Sequence, residues 1–396
     1  MCKSIALLSG KGGSGKTTLA LSMATMLSEC GVKVLLIDCD LSTNGATYFY
    51  EEKLAAKKNR ITSFYDILFN EKTEMIKFVE INENYHFLPS ITQISKKNTQ
   101  VYTYKNDGSF SVYNEIGQRY DIVLFDCQAG YTDILKLILP YTDIDLIVME
   151  TDAISSASIR SLYLKIGDMI NEKKLYQVFN KASKEEYEIY SKVSGGTVFT
   201  NIDTILFDWK IRKSFAVSQI PDMQNTSANY GAQIYNLCSV LFTSNNVQEK
   251  LGKYKTILDM RMYQENAFVI RGKIDAISEK YKNNRNSLNK SISLLSMLLC
   301  SMMLCFVFVA GIGSFDRIRD TELYLFIPII LSLGTTMIAG LNIIDITKGK
   351  REYSKEIDIL KEQLFHIEKE MARVQKKMEG LEETGEKKVE APKETH

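Results

Sequence analysis

The hydrophobic pattern of this chain changes character twice. Up to about residue 243, short apolar runs alternate with longer segments of helical spacing. The runs Ser4–Leu8, Val32–Ile37, Tyr85–Leu88, Asp121–Phe125, Asp145–Met149 and Tyr176–Phe179 read as buried strands. Between them, Leu19, Leu21, Met23, Met26 and Leu27 suit a helix over Thr18–Glu29; Ile61–Phe69 suggests another, and Tyr230–Phe242 a third. At least five strands separated by helical segments predict a doubly wound α/β fold, a mainly parallel sheet with helices on both faces. Residues 91–118 are polar and rich in Lys, Asn and Tyr, which predicts a surface excursion.

Beyond residue 243 the pattern becomes helical throughout. Ile292–Gly313 and Leu323–Ile344 carry no charged residue, and each is about the 20 residues that cross a bilayer as helix. Two transmembrane helices are expected. The flanks Lys280, Lys282, Arg285 and Lys290 on one side, and Lys348, Lys350 and Arg351 on the other, outweigh Arg317 and Arg319 of the intervening loop, which also holds three acids. The positive-inside bias then places both termini in the cytosol. Tyr353, Ile357, Leu360, Leu364, Ile367, Met371, Val374, Met378 and Leu381 recur at alternating steps of four and three, a heptad seam; Tyr263, Ala267, Ile270, Ile274, Ile277, Tyr281, Asn284 and Leu288 follow the same steps less cleanly. The two arms predict an antiparallel hairpin within one chain, or pairing between two chains.

The strand ends carry the chemistry. Gly10-Lys11-Gly12-Gly13-Ser14-Gly15-Lys16-Thr17-Thr18 fits G-x-x-x-x-G-K-[ST] between a strand and a helix, the arrangement in which glycine N–H groups turn inward around a phosphate. Lys16 then serves the terminal phosphates and Thr17 a Mg²⁺ ion, so a nucleotide is expected here. Asp38 and Asp40 end the second strand, and Asp126 follows the run Asp121–Phe125 in Asp126-Cys127-Gln128-Ala129-Gly130. A carboxylate at such a strand end holds a metal-bound water or orients an attacking one.

Lys11, Gly15-Lys16-Thr17 and Asp38-x-Asp40 together resemble the deviant Walker A ATPases, the MinD and ParA family. The likeness covers about residues 1–243. It implies a two-subunit sandwich in which Lys11 reaches the partner's nucleotide and Asp40 positions the attacking water. It makes Lys11, Lys16 and Asp40 the catalytic set. Gly12, Gly13, Ser14, Gly15, Lys16, Thr17 and Thr18 would hold ATP, with Gly130 at the γ-phosphate and Asn180 reading the base, while Thr17, Asp38 and Asp126 serve Mg²⁺. Gln128 stands where the family usually has proline, and Ile205-Leu206 where it has Ile-Pro.

Composition narrows the partners. Forty-nine basic against 48 acidic residues leave no net charge to favour nucleic acid, and no basic stripe stands out. Seven cysteines without a C-x-x-C pair and three scattered histidines fit a reducing compartment and give no zinc cluster. The expected organisation is an ATPase domain over 1–243, a cytosolic arm over 244–290, transmembrane helices over 291–313 and 323–346 around an external loop at 314–322, a coiled-coil arm over 347–383 and a disordered tail over 384–396. The function this implies is a membrane-anchored ATP switch, multi-pass in an inner or plasma membrane, that forms an ATP-dependent homodimer and recruits, positions or remodels an unknown protein partner. Two alternatives are a tyrosine autokinase of the polysaccharide-export type, whose membrane segments precede the kinase rather than follow it, and a membrane scaffold whose nucleotide is only structural.

Overall fold

A computed structural model describes residues 3–56, 61–69, 76–92, 112–170, 174–183, 185–186, 188–189, 199–202, 204–217, 219, 223, 226–311, 349 and 351–379; the side chains of 112–115, 298 and 300–311 are outside that description. The chain divides into two units, Met1–Asp259 and Met260–His396.

Among the described residues the first unit has nine strands: β1 (Lys3–Leu8), β2 (Val34–Asp38), β3 (Val79–Asn82), β4 (Tyr85–Leu88), β5 (Ile122–Asp126), β6 (Ile144–Met149), β7 (Lys174–Ala182), β8 (Thr200–Asn201) and β9 (Ile205–Leu206). Their order is β3-β4-β2-β5-β1-β6-β7-β8, with β9 beside β7. Every pairing is parallel except β3 with β4. The central strands are apolar on both faces because helices cover both, as a parallel sheet requires. On one face Leu19, Met23 and Leu27 of the helix Lys16–Glu29 pack with Ile234 and Leu237 of the helix Ala228–Leu241; on the other, Ile159, Leu162 and Ile166 of the helix Ala153–Ile170 pack with Ile138 and Phe179.

Register is what assembles the site. Leu7 of β1 and Asp38 of β2 both pair with Asp126 of β5, so the glycine loop, the Asp38 segment and the Asp126 segment leave the same edge of the sheet. The helix Asn245–Gly311 starts at the opposite edge: Lys250 pairs with Asp121 at 3.1 Å, just before β5, and the Tyr254 hydroxyl donates to Glu29 at 2.5 Å.

The strands and helices expected before residue 243 appear, with shifted ends. The antiparallel edge strand β3 was not legible, and of the polar excursion the helix Val112–Arg119 is described while residues 93–111 are not.

In the second unit the same long helix and a helix over residues 351–379 pair within the chain. Arg271 bonds Glu368 at 2.7 Å, and the rings of Tyr281 and Tyr353 lie 6.3 Å apart. Rising numbers on one helix meet falling numbers on the other, so the pair is antiparallel. The heptad residues Ile270, Ile274, Ile277, Leu360, Leu364 and Ile367 are among the partly buried positions, whereas Asn284 is exposed. The first expected membrane span falls at the end of the long helix, where most side chains are outside the description. The loop 314–322, the span 323–346 and the tail 384–396 lie outside the described residues. Among the described residues, no helix is long and apolar enough to cross a membrane.

Candidate nucleotide site

The glycine loop turns on two left-handed residues. Gly13 has φ +85° and Gly15 φ +86°, backbone that a side chain with Cβ adopts only under strain. Nothing lies within 4 Å of where a Cβ would stand on Gly12 or Gly13, which leaves the inside of the loop open. At Gly15 the reverse holds: a Cβ there would meet Asn180 Nδ2 at 2.3 Å.

That contact shows what Asn180 does. Its Nδ2 donates to the Ser14 carbonyl at 2.8 Å, and the neighbouring Lys181 ammonium donates to the Gly13 carbonyl. Lys181 is itself left-handed, φ +59°. The end of β7 therefore straps the loop from outside through two backbone oxygens. Asn180 also borders a cleft of about 460 Å³ lined by Thr18, Leu206, Phe207, Ile211 and Arg212 among others, large enough for a base.

Lys16 is buried beneath the loop, and Asp126 is buried at the end of β5. Neither carboxylate oxygen of Asp126 has a hydrogen-bond partner among the described residues. Burial raises this carboxyl above its ordinary range, opposed by the Lys16 charge and the nearby Thr17 hydroxyl. A buried carboxylate left unpartnered costs stability unless something charged or hydrogen-bonding completes it. Asp126 and Thr17 are the residues that would hold Mg²⁺ here, and a divalent cation would meet that deficit.

Asp38 is placed otherwise than the sequence suggests. Its Oδ2 accepts from Thr47 N at 2.9 Å and Thr47 Oγ1 at 2.6 Å, and its Oδ1 from Asp40 N at 3.0 Å. Thr47 in turn meets Ser90, whose hydroxyl donates to Asn44. Burial, with the Asp126 charge beside it, pushes the Asp38 carboxyl up to about 7. In this arrangement Asp38 holds the segment 40–47 against the sheet.

Asp40 is committed to its own turn. Oδ1 accepts from Ser42 N at 3.0 Å, Ser42 Oγ at 2.7 Å and Thr43 N at 2.9 Å; Oδ2 accepts from Thr43 Oγ1 at 2.6 Å. Burial would raise this carboxyl, yet the Thr43 and Ser42 bonds hold it below the ordinary value. Gly130, φ +77°, gives its N–H to the Ser9 carbonyl at 2.8 Å.

Lys11 points to its own chain. Its ammonium lies 2.8 Å from Asp152 and 3.0 Å from Glu150, and Glu150 also meets Lys181 at 3.2 Å. The Asp152 bond and then the Glu150 bond raise the lysine, while Lys11 holds Asp152 well below the ordinary carboxylate range. Glu150 and Asp152 were missed as site residues. The signal was available: Glu-x-Asp comes at the end of β6 as Asp-x-Asp does at the end of β2.

Residues 2–179 match the AAA domain family known as AAA_31. The match lies within the first unit, and MinD and ParA proteins are among the relatives of the same stretch. It is 25% identical over 189 residues to an uncharacterized ATP-binding protein of Methanocaldococcus jannaschii, covering 48% of this chain and 68% of that one. It is 26% identical over 136 residues to the septum site-determining protein MinD of Bacillus subtilis, 33% of this chain and 46% of that one. Over 67 residues it is 40% identical to the chromosome partitioning protein ParA of Caulobacter vibrioides, 17% of this chain and 24% of the relative. Among solved structures, the MinD cell division protein of Aquifex aeolicus shares 21% identity at a TM-score of 0.48, covering 62% of this chain and 98% of that one. The P-loop domain accounts for these matches; several curated relatives are spanned over only half of their length or less.

Proposed function

We propose that this protein binds and hydrolyses ATP with Mg²⁺, and that the nucleotide drives a homodimer of the P-loop domain at the cytosolic face of a membrane. The observation that carries the reading is the unpartnered Asp126 carboxylate, buried beside Thr17 and Lys16 at the mouth of an open glycine cradle. No packing or capping role explains it.

In this reading backbone N–H groups of residues 12–17 hold the phosphates, Lys16 neutralises the terminal ones, and Thr17 with Asp126 holds the metal shell. Bound there, Mg²⁺ offsets phosphate charge during transfer. Loop straps from Asn180 and Lys181 fix the cradle in advance, so little ordering is needed when nucleotide enters. The base lies in the cleft beyond Asn180. Lys11 leaves Glu150 and Asp152 to meet the nucleotide of a second copy.

Membrane attachment rests on the two uncharged runs Ile292–Gly313 and Leu323–Ile344 and on the basic residues outside them. There the dimer would recruit, position or remodel a protein partner. Mg²⁺-dependent ATP hydrolysis by the purified full chain, abolished by Lys16→Ala, tests the enzymatic part. Equal phosphate release by wild type and Lys16→Ala would refute it.

A further inference from the structure

We infer that Gln128 is a catalytic residue of the ATPase reaction, the group that orients the attacking water. This rests on the ATPase reading above and adds to it a residue that the family resemblance does not supply.

The position follows from the strand register. Cys127 N donates to the Leu7 carbonyl at 3.3 Å and Gly130 N to the Ser9 carbonyl at 2.8 Å. The backbone of residues 127–130 therefore runs alongside the entry of the glycine loop, and Gln128 stands in that stretch, two residues after Asp126 and two before Gly130. Its side chain is half-buried, and no hydrogen bond engages its amide among the described residues. Four residues on, the Thr132 hydroxyl is buried without a partner, although it stands at the start of a helix that it does not cap. Beyond Asp126, which the ATPase reading gives to the metal, one short segment thus carries two uncommitted polar groups, Gln128 and Thr132. Unused hydrogen-bonding capacity of this kind, collected beside a phosphate cradle, is suited to a γ-phosphate and its water.

Asp40 offers the contrast. Its two oxygens already accept four hydrogen bonds from Ser42 and Thr43, so turning it toward a water would first break its own turn. The Gln128 amide has nothing to break. Its Oε1 accepts from the water and its Nε2 donates to a γ-phosphate oxygen, the two-sided role an amide fills in other P-loop enzymes. An amide is not a base. The water oxygen bonds to the γ-phosphorus as the bond to the bridging oxygen breaks; that electron pair stays on ADP, and the water proton passes to the departing phosphate.

The test compares full-length wild type, Gln128→Ala and Gln128→Glu in steady-state hydrolysis and in equilibrium binding of fluorescent ATP and ADP. Gln128→Ala is expected to lower kcat about 10²-fold while KM and affinity for both nucleotides stay within about threefold. Retained binding also reports that the variant is folded. Gln128→Glu is expected to lose kcat equally and to weaken ATP about tenfold more than ADP, because its charge opposes the γ-phosphate. An alanine variant with kcat within about twofold of wild type overturns the inference and leaves the ATPase reading standing. A wild type that binds nucleotide and never hydrolyses it overturns both.

Discussion

Lys11 and Asp152 form an ion pair of 2.8 Å within one chain, and Asp152 at the same time accepts from Ser155 N at 2.8 Å to start the helix Ala153–Ile170. The lysine that the resemblance sends across a dimer interface is tied to the residue that caps a helix of its own domain. Releasing it costs the pair and not the cap.

Asp152→Asn separates the two roles, since the amide oxygen still accepts from Ser155 but the charge is gone. With only Glu150 left to hold Lys11, the variant should dimerise with ATP at a lower protein concentration than wild type, with a melting temperature lowered by no more than about 3 °C. Sedimentation at graded protein concentrations reads the first, and calorimetry the second.

Gly15 and Gly12 should respond very differently to one added methyl group. Gly15→Ala combines left-handed backbone with a 2.3 Å approach to Asn180 Nδ2, so either the strap to Ser14 breaks or the loop shifts. A loss of about 2–4 kcal/mol in urea unfolding is expected. Gly12→Ala points into open space and should cost under about 1 kcal/mol, while still obstructing phosphate.

Asp38 makes the nucleotide-free protein lose stability as pH rises. Its folded-state pKa is raised from 3.8 to about 7, so the native state binds its proton more tightly than the unfolded chain does. Stability from this group is greatest near pH 4 and declines through pH 7, by at most about 4 kcal/mol. Asp126, raised by burial, acts in the same direction. In EDTA, the difference in unfolding free energy between wild type and Asp38→Asn should shrink with each step from pH 5 to pH 7.5. A difference that grows with pH would show the carboxyl to be stabilised in its charged form.

The antiparallel arms place Ile274 and Leu364 at nearly one level, bracketed by the Arg271–Glu368 bond and the Tyr281–Tyr353 contact. Cysteines at these two positions should crosslink within one chain. Migration at monomer mass after oxidation, independent of protein concentration, is the expected outcome on a denaturing gel.

Much of this was legible because parallel strands announce themselves. Buried runs such as Val32–Ile37 and Asp121–Phe125 need apolar residues on both faces, and a carboxylate at the end of such a run is conspicuous. The glycine loop was legible for a similar reason, since backbone-lined phosphate sites demand glycine at fixed spacing. What could not be read was how strand-end groups divide their work. Asp38 and Asp40 look alike in sequence, yet one is satisfied by Thr47, nine residues on, and both act within their own segment. Asn180 was expected at the base and is found bonded to Ser14, 166 residues away, a contact that only the β7 position beside the loop creates. The edge strand β3 escaped notice because Glu80 and Asn82 give it no buried run.

The measurement that tests the central claim most directly is the mass of the full-length protein in detergent, by light scattering, without nucleotide, with Mg-ADP and with Mg-ATP, for wild type, Lys11→Ala and Asp126→Asn. The account predicts a doubling of protein mass for wild type with Mg-ATP alone, and one protomer for both variants in every condition. The same mass for wild type in all three conditions would contradict it.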